Sequence, residues 1–138
     1  MVYVDTNILV YIIANQGMEK REAAIKSVRE LIEKEEFFLS PLTMQEFIFT
    51  LAKLNIDWDQ VSNDVDFYMD YIRHTIDKDI IKDAYDLCKE MNFYKNINDA
   101  IHLKFAEKYC RKLITFDKDF KKFQGKTKDL KHLPIQSP

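Results

Sequence analysis

Four carboxylates, Asp5, Glu46, Asp99 and Asp117, stand where an apolar run gives way to a turn or to the first turn of a helix. Brought to one place, such acids repel one another. At an effective dielectric of about 20, two carboxylates roughly 5 Å apart cost about 3 kcal/mol, and every further pair adds to it. Protonation relieves that repulsion in carboxylate dyads. A cluster of three or four is better neutralised by a hard divalent cation such as Mg²⁺, which prefers oxygen ligands and keeps several waters. The chemistry such a centre suits is phosphoryl chemistry, in which one ion lowers the pKa of a bound water that attacks phosphorus while a second stabilises the leaving oxygen.

The four acids meet only if the chain between them folds in one particular way. Val2-Tyr3-Val4 is a short β-branched and aromatic run that fits a buried strand and stops at Asp5. A short helix is predicted over 8–14. Ala24, Ile25, Val28, Leu31 and Ile32 recur at the spacing of an amphipathic helix over 18–34. A second strand is expected at 37–39, broken by Ser40-Pro41, and a helix at 43–54 carrying Phe47, Ile48, Leu51 and Leu54. Asp57 can cap the next helix, and a third, weaker strand is expected at 73–76. Asp77 can cap a helix bearing Ile80, Ala84, Leu87 and Met91. A helix over 97–110, a fourth strand over 112–115 and a fifth over 133–135 complete the chain. Pro134 confines that fifth strand to an edge, because it cannot donate a ladder hydrogen bond.

Strands alternating with helices imply βαβ crossovers. The predicted fold class is therefore α/β: a three-layer α/β/α sandwich with a mostly parallel, about five-stranded central sheet, residues 1–138 forming one domain. Ligands bind in such folds at the carboxyl ends of the strands. Asp5 and Asp117 directly follow strands, and Glu46 lies in the first turn after the second strand. Asp99 lies in the first turn of the helix that leads to the fourth. Topology alone should bring all four to one rim.

Composition agrees with this reading. Of 138 residues, 46% are hydrophobic and 32% charged, which fits a globular chain and argues against disorder, collagen-like repeats and coiled coils. Two Gly and three Pro are too few for a sandwich of many short strands. Two isolated cysteines, Cys88 and Cys110, form neither a disulfide framework nor a CxxC pair, so a reducing cytoplasm is expected. The first residues lack a basic leader and place Asp5 inside the apolar run, unlike a signal peptide, and no stretch is long enough to span a membrane. The net charge of −2 excludes a globally basic nucleic-acid binder, yet residues 104–131 hold ten Lys/Arg against four Asp/Glu. By itself that run is a solvated helix face.

Each acid also has an ordinary explanation. Thr43-Met44-Gln45-Glu46 matches a capping box. Asp99, beside Asn96 and Asn98, would complement a helix dipole, and Asp117 would belong to a strand-to-helix turn with Asp119 a solvated neighbour. Asp5 is harder to dismiss, since it interrupts an apolar run at the end of the most buried strand, where an unpaired charge is costly. Thr6 and Asn7 suit the turn after the first strand or a helix cap, and the Thr115 hydroxyl suits a carboxylate partner or a turn cap. His74, His102 and His132 follow no ligand pattern and read as structural or exposed. Phe47, Phe49, Trp58, Phe67 and Tyr68 read as core, or else as a partner-binding surface where exposed.

The series Val4-Asp5-Thr6-Asn7, then Glu46 at a helix start, then Asn98-Asp99-Ala100-Ile101-His102-Leu103, then Leu113-Ile114-Thr115-Phe116-Asp117-Lys118-Asp119-Phe120, resembles the PIN-domain ribonucleases. It is most similar to the small VapC-like toxins of type II toxin–antitoxin pairs, over residues 2 to about 135. The resemblance implies that Asp5, Glu46, Asp99 and Asp117 are the acidic quartet binding Mg²⁺ or Mn²⁺. Thr115 then takes the supporting hydroxyl position, and Thr6 and Asn7 match the polar residues after the first acid. Asp119 falls where members often carry another acid. The implied activity is Mg²⁺-dependent endonucleolytic RNA cleavage with a metal-activated water. The implied partners are RNA, a small antitoxin whose tail enters the active-site groove, and a second copy in a homodimer. Lys118, Lys121 and Lys122, just past Asp117, become candidates for holding the RNA backbone. A housekeeping RNA-processing nuclease or a non-catalytic RNA-binding module on the same fold are the alternatives. A phosphoacceptor receiver domain fits less well, because it expects two adjacent acids after the first strand, and a dehalogenase-like phosphatase needs a second Asp where Asn7 stands.

Overall fold

The structure, a computed structural model, describes residues 1–14, 16–92, 97–123 and 133–138; the side chain of Lys122 lies outside the described residues, as do Asn96, Lys126, Lys128, Lys131 and His132. The chain runs β1 (Val2–Val4), α1 (Thr6–Ile13), α2 (Met18–Glu33), β2 (Phe37–Phe38), α3 (Pro41–Lys53), α4 (Trp58–Met69), α5 (Lys78–Met91), α6 (Ile97–Tyr109), β3 (Lys112–Ile114), a 3-10 turn (Lys118–Lys122) and β4 (Ile135–Gln136). The strands lie in the order β2-β1-β3-β4, all parallel, with Val2 opposite Phe37 and Lys112, and Leu113 opposite Ile135.

Alternation along β1 divides the core into two layers. Val2 and Val4 face α1 to α4, packing with Ile8, Leu9, Leu31, Phe47 and Leu51. Tyr3, Phe38 and Leu113 face α5 and α6, packing with Ile80, Leu87, Leu103 and Phe105. Helices thus cover both faces of a parallel sheet, as the expected α/β/α sandwich requires. The chain leaves β1 in opposite directions to β2 and β3, so the topological switch opens between β1 and β3.

Three expectations need correction. The strand expected at 73–76 does not form, and the sheet has four strands among the described residues, not about five. One residue, Ile72, bridges Leu39; Arg73, His74 and Thr75 are exposed, and Asp77 turns the chain into α5 by accepting from the Ile80 amide at 2.9 Å. Helix α3 begins at Pro41, because Ser40 is its N-cap and Pro suits the first helical position. The capping-box explanation of Glu46 therefore fails: the amide of Thr43 donates to Ser40 Oγ, and Glu46 is turned elsewhere. Of the aromatic stripe, Phe47 and Tyr68 are buried, whereas Phe49, Trp58 and Phe67 are exposed. Phe49 and Trp58, with Pro41, Met44, Ile48, Ala52, Met69 and Ile72, line an almost wholly apolar groove of about 600 Å³ between α3 and α4. Among the described residues no helix is long and apolar enough to cross a membrane.

Candidate active site

Asp5 follows β1 and is the N-cap of α1, its Oδ1 accepting from the Thr6 amide at 2.7 Å. Its other oxygen accepts from Asn7 Nδ2 at 2.7 Å and from Thr115 Oγ1 at 2.6 Å, which fastens the end of β1 to the end of β3. Asn7 is not a cap. Its amide nitrogen also donates to Thr115 Oγ1, and its oxygen accepts from the Phe116 amide. Thr115 Oγ1 in turn accepts from the Asp117 amide at 2.9 Å. Thr6, Asn7 and Thr115 thus brace one buried carboxylate and the backbone that presents the next.

Glu46 extends from the second turn of α3. Its Oε2 accepts from Thr6 Oγ1 at 2.7 Å and faces His102 Nε2 at 2.9 Å, and its Oε1 accepts from Asn98 Nδ2 at 3.0 Å. Asp99 sits in the first turn of α6. Asp117 caps the 3-10 turn, with Oδ1 accepting from the Asp119 amide at 2.8 Å, so the turn explanation of this residue holds together with its place in the site.

Asp5, Glu46, Asp99 and Asp117 line one cavity of about 440 Å³, walled further by Thr6, Asn7, Tyr11, Gln16, Thr50 and Phe120. The predicted rim exists. Asp119, Lys118 and Lys121 are exposed on the 3-10 turn beside it and do not line it.

Crowding and burial set the ionisation of the site. Burial pushes the Asp5 carboxyl up and Glu46 adds to this, against the charge of His102 and the bonds from Thr115 and Thr6. Asp99 is pushed up to about 6 by burial and by the charges of Asp5, Asp117 and Glu46, with His102 opposing. Glu46 is held below the usual range despite burial, by the His102 hydrogen bond and charge and by Thr6 and Asn98. For His102, burial works against the imidazolium, yet the Glu46 bond and the charges of Asp5, Glu46 and Asp99 outweigh it and raise its pKa.

His102 is the residue that sequence reasoning set aside. It is 1% exposed, and donor atoms of Asp5, Glu46 and His102 all lie within 4.8 Å of one another. Its spacing of three from Asp99, which puts both on one face of α6, was the available signal. His74, by contrast, is exposed and stacks on Tyr109, as expected of a structural histidine.

The donor set fits a hard divalent cation. Carboxylate oxygens dominate, three acids beside Glu46 share the cavity, and Asp99 is raised by burial first and then by the charges of Asp5, Asp117 and Glu46, which a cation would offset. A family model described as "PIN domain" matches residues 2–126. The chain belongs to the PIN-domain family. In structure this PIN domain is similar to a chain of VapBC2 from Rickettsia felis, solved bound to a DNA fragment from their promoter. The TM-score is 0.70 at 16% identity, covering 100% of this PIN domain and 99% of that chain. No curated protein matches the sequence.

Proposed function

We propose that this PIN domain is a cytoplasmic endoribonuclease dependent on Mg²⁺ or Mn²⁺, the toxin of a toxin–antitoxin pair. The observation that carries the reading is the convergence of Asp5, Glu46, Asp99 and Asp117 on one open cavity at the carboxyl edge of the sheet. Asp5, Asp99, Asp117 and Glu46 would hold the cation, which supplies Lewis acidity, acidifying water and offsetting charge on the phosphodiester. The chain itself keeps Asp5 fixed and ionisable through Thr6, Asn7 and Thr115, so that no reorganisation is needed when substrate arrives. Lys118 and Lys121, exposed beside Asp117, attract the RNA backbone, with Lys122 their neighbour in sequence. Likeness to VapBC2 supports the toxin assignment, and the reading seats an antitoxin segment in the apolar groove that shares Phe49 with the acidic cavity. A homodimer is part of the same reading.

The test is incubation of purified protein with total cellular RNA, with Mg²⁺ or Mn²⁺ and with chelator. Cleavage at discrete sites is expected with the ion and not with chelator. Cleavage by Asp5→Asn and Asp99→Asn at the wild-type rate would overturn the reading. Growth arrest on expression, relieved by the product of a small adjacent reading frame, separates a toxin from a processing nuclease.

A further inference from the structure

Tyr3 carries a hydroxyl where a phenylalanine would pack equally well. The ring lies in the α5/α6 core layer with Ala100, Leu103 and Phe105, fully buried, and a hydroxyl there is costly unless it is bonded. Three partners from two other elements meet it: Ser40 Oγ at 2.7 Å, Thr43 Oγ1 at 2.8 Å and Nδ1 of His102. The opposite ring nitrogen of His102 reaches Glu46 Oε2. A continuous hydrogen-bonded rod therefore runs from the cap of α3 through β1 and α6 to one carboxylate of the site. His102 itself does not line the cavity, and the acid of the site that it hydrogen-bonds is Glu46.

We propose that His102, clamped by Tyr3, is a positioning residue that fixes the Glu46 carboxylate toward the cavity and so pre-sets the cation-holding acids. This assignment presupposes the cation-holding role proposed above. Thr6 and Asn98 also donate to Glu46, but Asn98 is exposed, whereas His102 is buried and is itself held from its other ring nitrogen by the Tyr3 hydroxyl. Removing a buried partner of a ligating carboxylate costs about 10–100-fold in metal affinity.

The experiment is Mn²⁺ titration by calorimetry, without RNA, on wild type, Tyr3→Phe, His102→Leu, His102→Gln and, as the reference for a lost ligand, Asp5→Asn. Pulsed EPR is recorded on the Mn²⁺-loaded wild type. We expect His102→Leu to weaken Mn²⁺ binding by about 10–100-fold and Tyr3→Phe to weaken it several-fold. His102→Gln should recover most of the loss, because its amide can still donate to Glu46. Wild-type affinity, within about twofold, in folded His102→Leu or Tyr3→Phe overturns the proposal, even if the unfolding midpoint drops. Imidazole nitrogen coupling to Mn²⁺ also overturns it, since His102 would then be a ligand. If His102→Leu fails to fold, Tyr3→Phe decides by the same criterion. Loss of binding in Asp5→Asn with affinity unchanged in the His102 and Tyr3 variants sinks the positioning role alone. Wild type that binds no Mn²⁺ sinks it together with the cation-holding reading.

Discussion

The hydroxyl of Thr115 donates to Oδ2 of Asp5 at 2.6 Å, joining residues 110 positions apart and tying the two strands that flank the switch point. The same oxygen accepts from Asn7 and from the Asp117 amide, so one hydroxyl sets the spacing of two of the four acids. Thr115→Val keeps the shape and removes all three bonds. It should destabilise the protein by about 1–3 kcal/mol in urea unfolding, the cost of stranding buried polar groups, and weaken Mn²⁺ binding. Thr115→Ser should restore both, whereas stability unchanged in Thr115→Val would show that the bonds are idle.

The stabilisation that a divalent cation confers should grow with pH. Asp99 has a folded pKa of about 6 against an ordinary 3.8, so the folded state favours its neutral form. The stability of the metal-free protein from this group is present below about pH 4 and is lost as pH rises to about 6. His102, raised above 6.5, acts in the same direction, losing its contribution as pH rises through its folded pKa. Glu46, held below its ordinary range by His102, Thr6 and Asn98, acts in the opposite direction. The rise in Tm on adding Mg²⁺ or Mn²⁺ should therefore be larger at pH 7.5 than at pH 5, as scanning fluorimetry would read. An equal rise at both would contradict the crowding.

Removing one charge should stabilise the protein that holds no cation. Asp99→Asn abolishes repulsion from Asp5, Asp117 and Glu46 while keeping the side-chain shape. Its metal-free Tm should exceed that of wild type at pH 7.5, with the gain shrinking at pH 5, where Asp99 is largely protonated. Its response to Mn²⁺ should weaken or vanish. A lower Tm at pH 7.5 would place the residue in a role other than a crowded acid.

Backbone contacts to RNA are electrostatic and report through salt. Lys118 and Lys121 are exposed on the 3-10 turn that follows Asp117. Replacing both by Ala in an Asp5→Asn background, which prevents cleavage, should weaken single-stranded RNA binding. It should also reduce the slope of log K against log salt by about 1.4, near 0.7 per lost phosphate contact. An unchanged slope would leave the basic run as a solvated surface.

The elements that carry the acids were legible because each has a local cause. Val2 to Val4 is apolar on both faces, as a buried parallel strand must be, and Asp5 ends it. Asp57 and Asp77 cap their helices as their positions suggest, accepting from Asp59 and Ile80. The strand expected at 73–76 does not form because only Thr75 and Ile76 in it are β-branched, the one bridge there among the described residues is made by the preceding Ile72 to Leu39, and the cap at Asp77 draws the chain away. Helix α3 starts at Pro41 and not at Thr43 because Ser40 accepts from the Thr43 amide as its cap and proline suits the first helical position, a choice that the apolar spacing of Phe47, Ile48, Leu51 and Leu54 does not show.

The sequence by itself determined which residue types end each strand or open each helix, and with βαβ handedness that places four carboxylates on one edge. Only the tertiary structure decided which groups stand between them. Whether a buried histidine meets a carboxylate, a tyrosine or neither depends on how α6 packs against β1 and α3, and no local pattern encodes that distance. His102 therefore read as one scattered histidine among three in the sequence, and in the fold it bridges Tyr3 and Glu46.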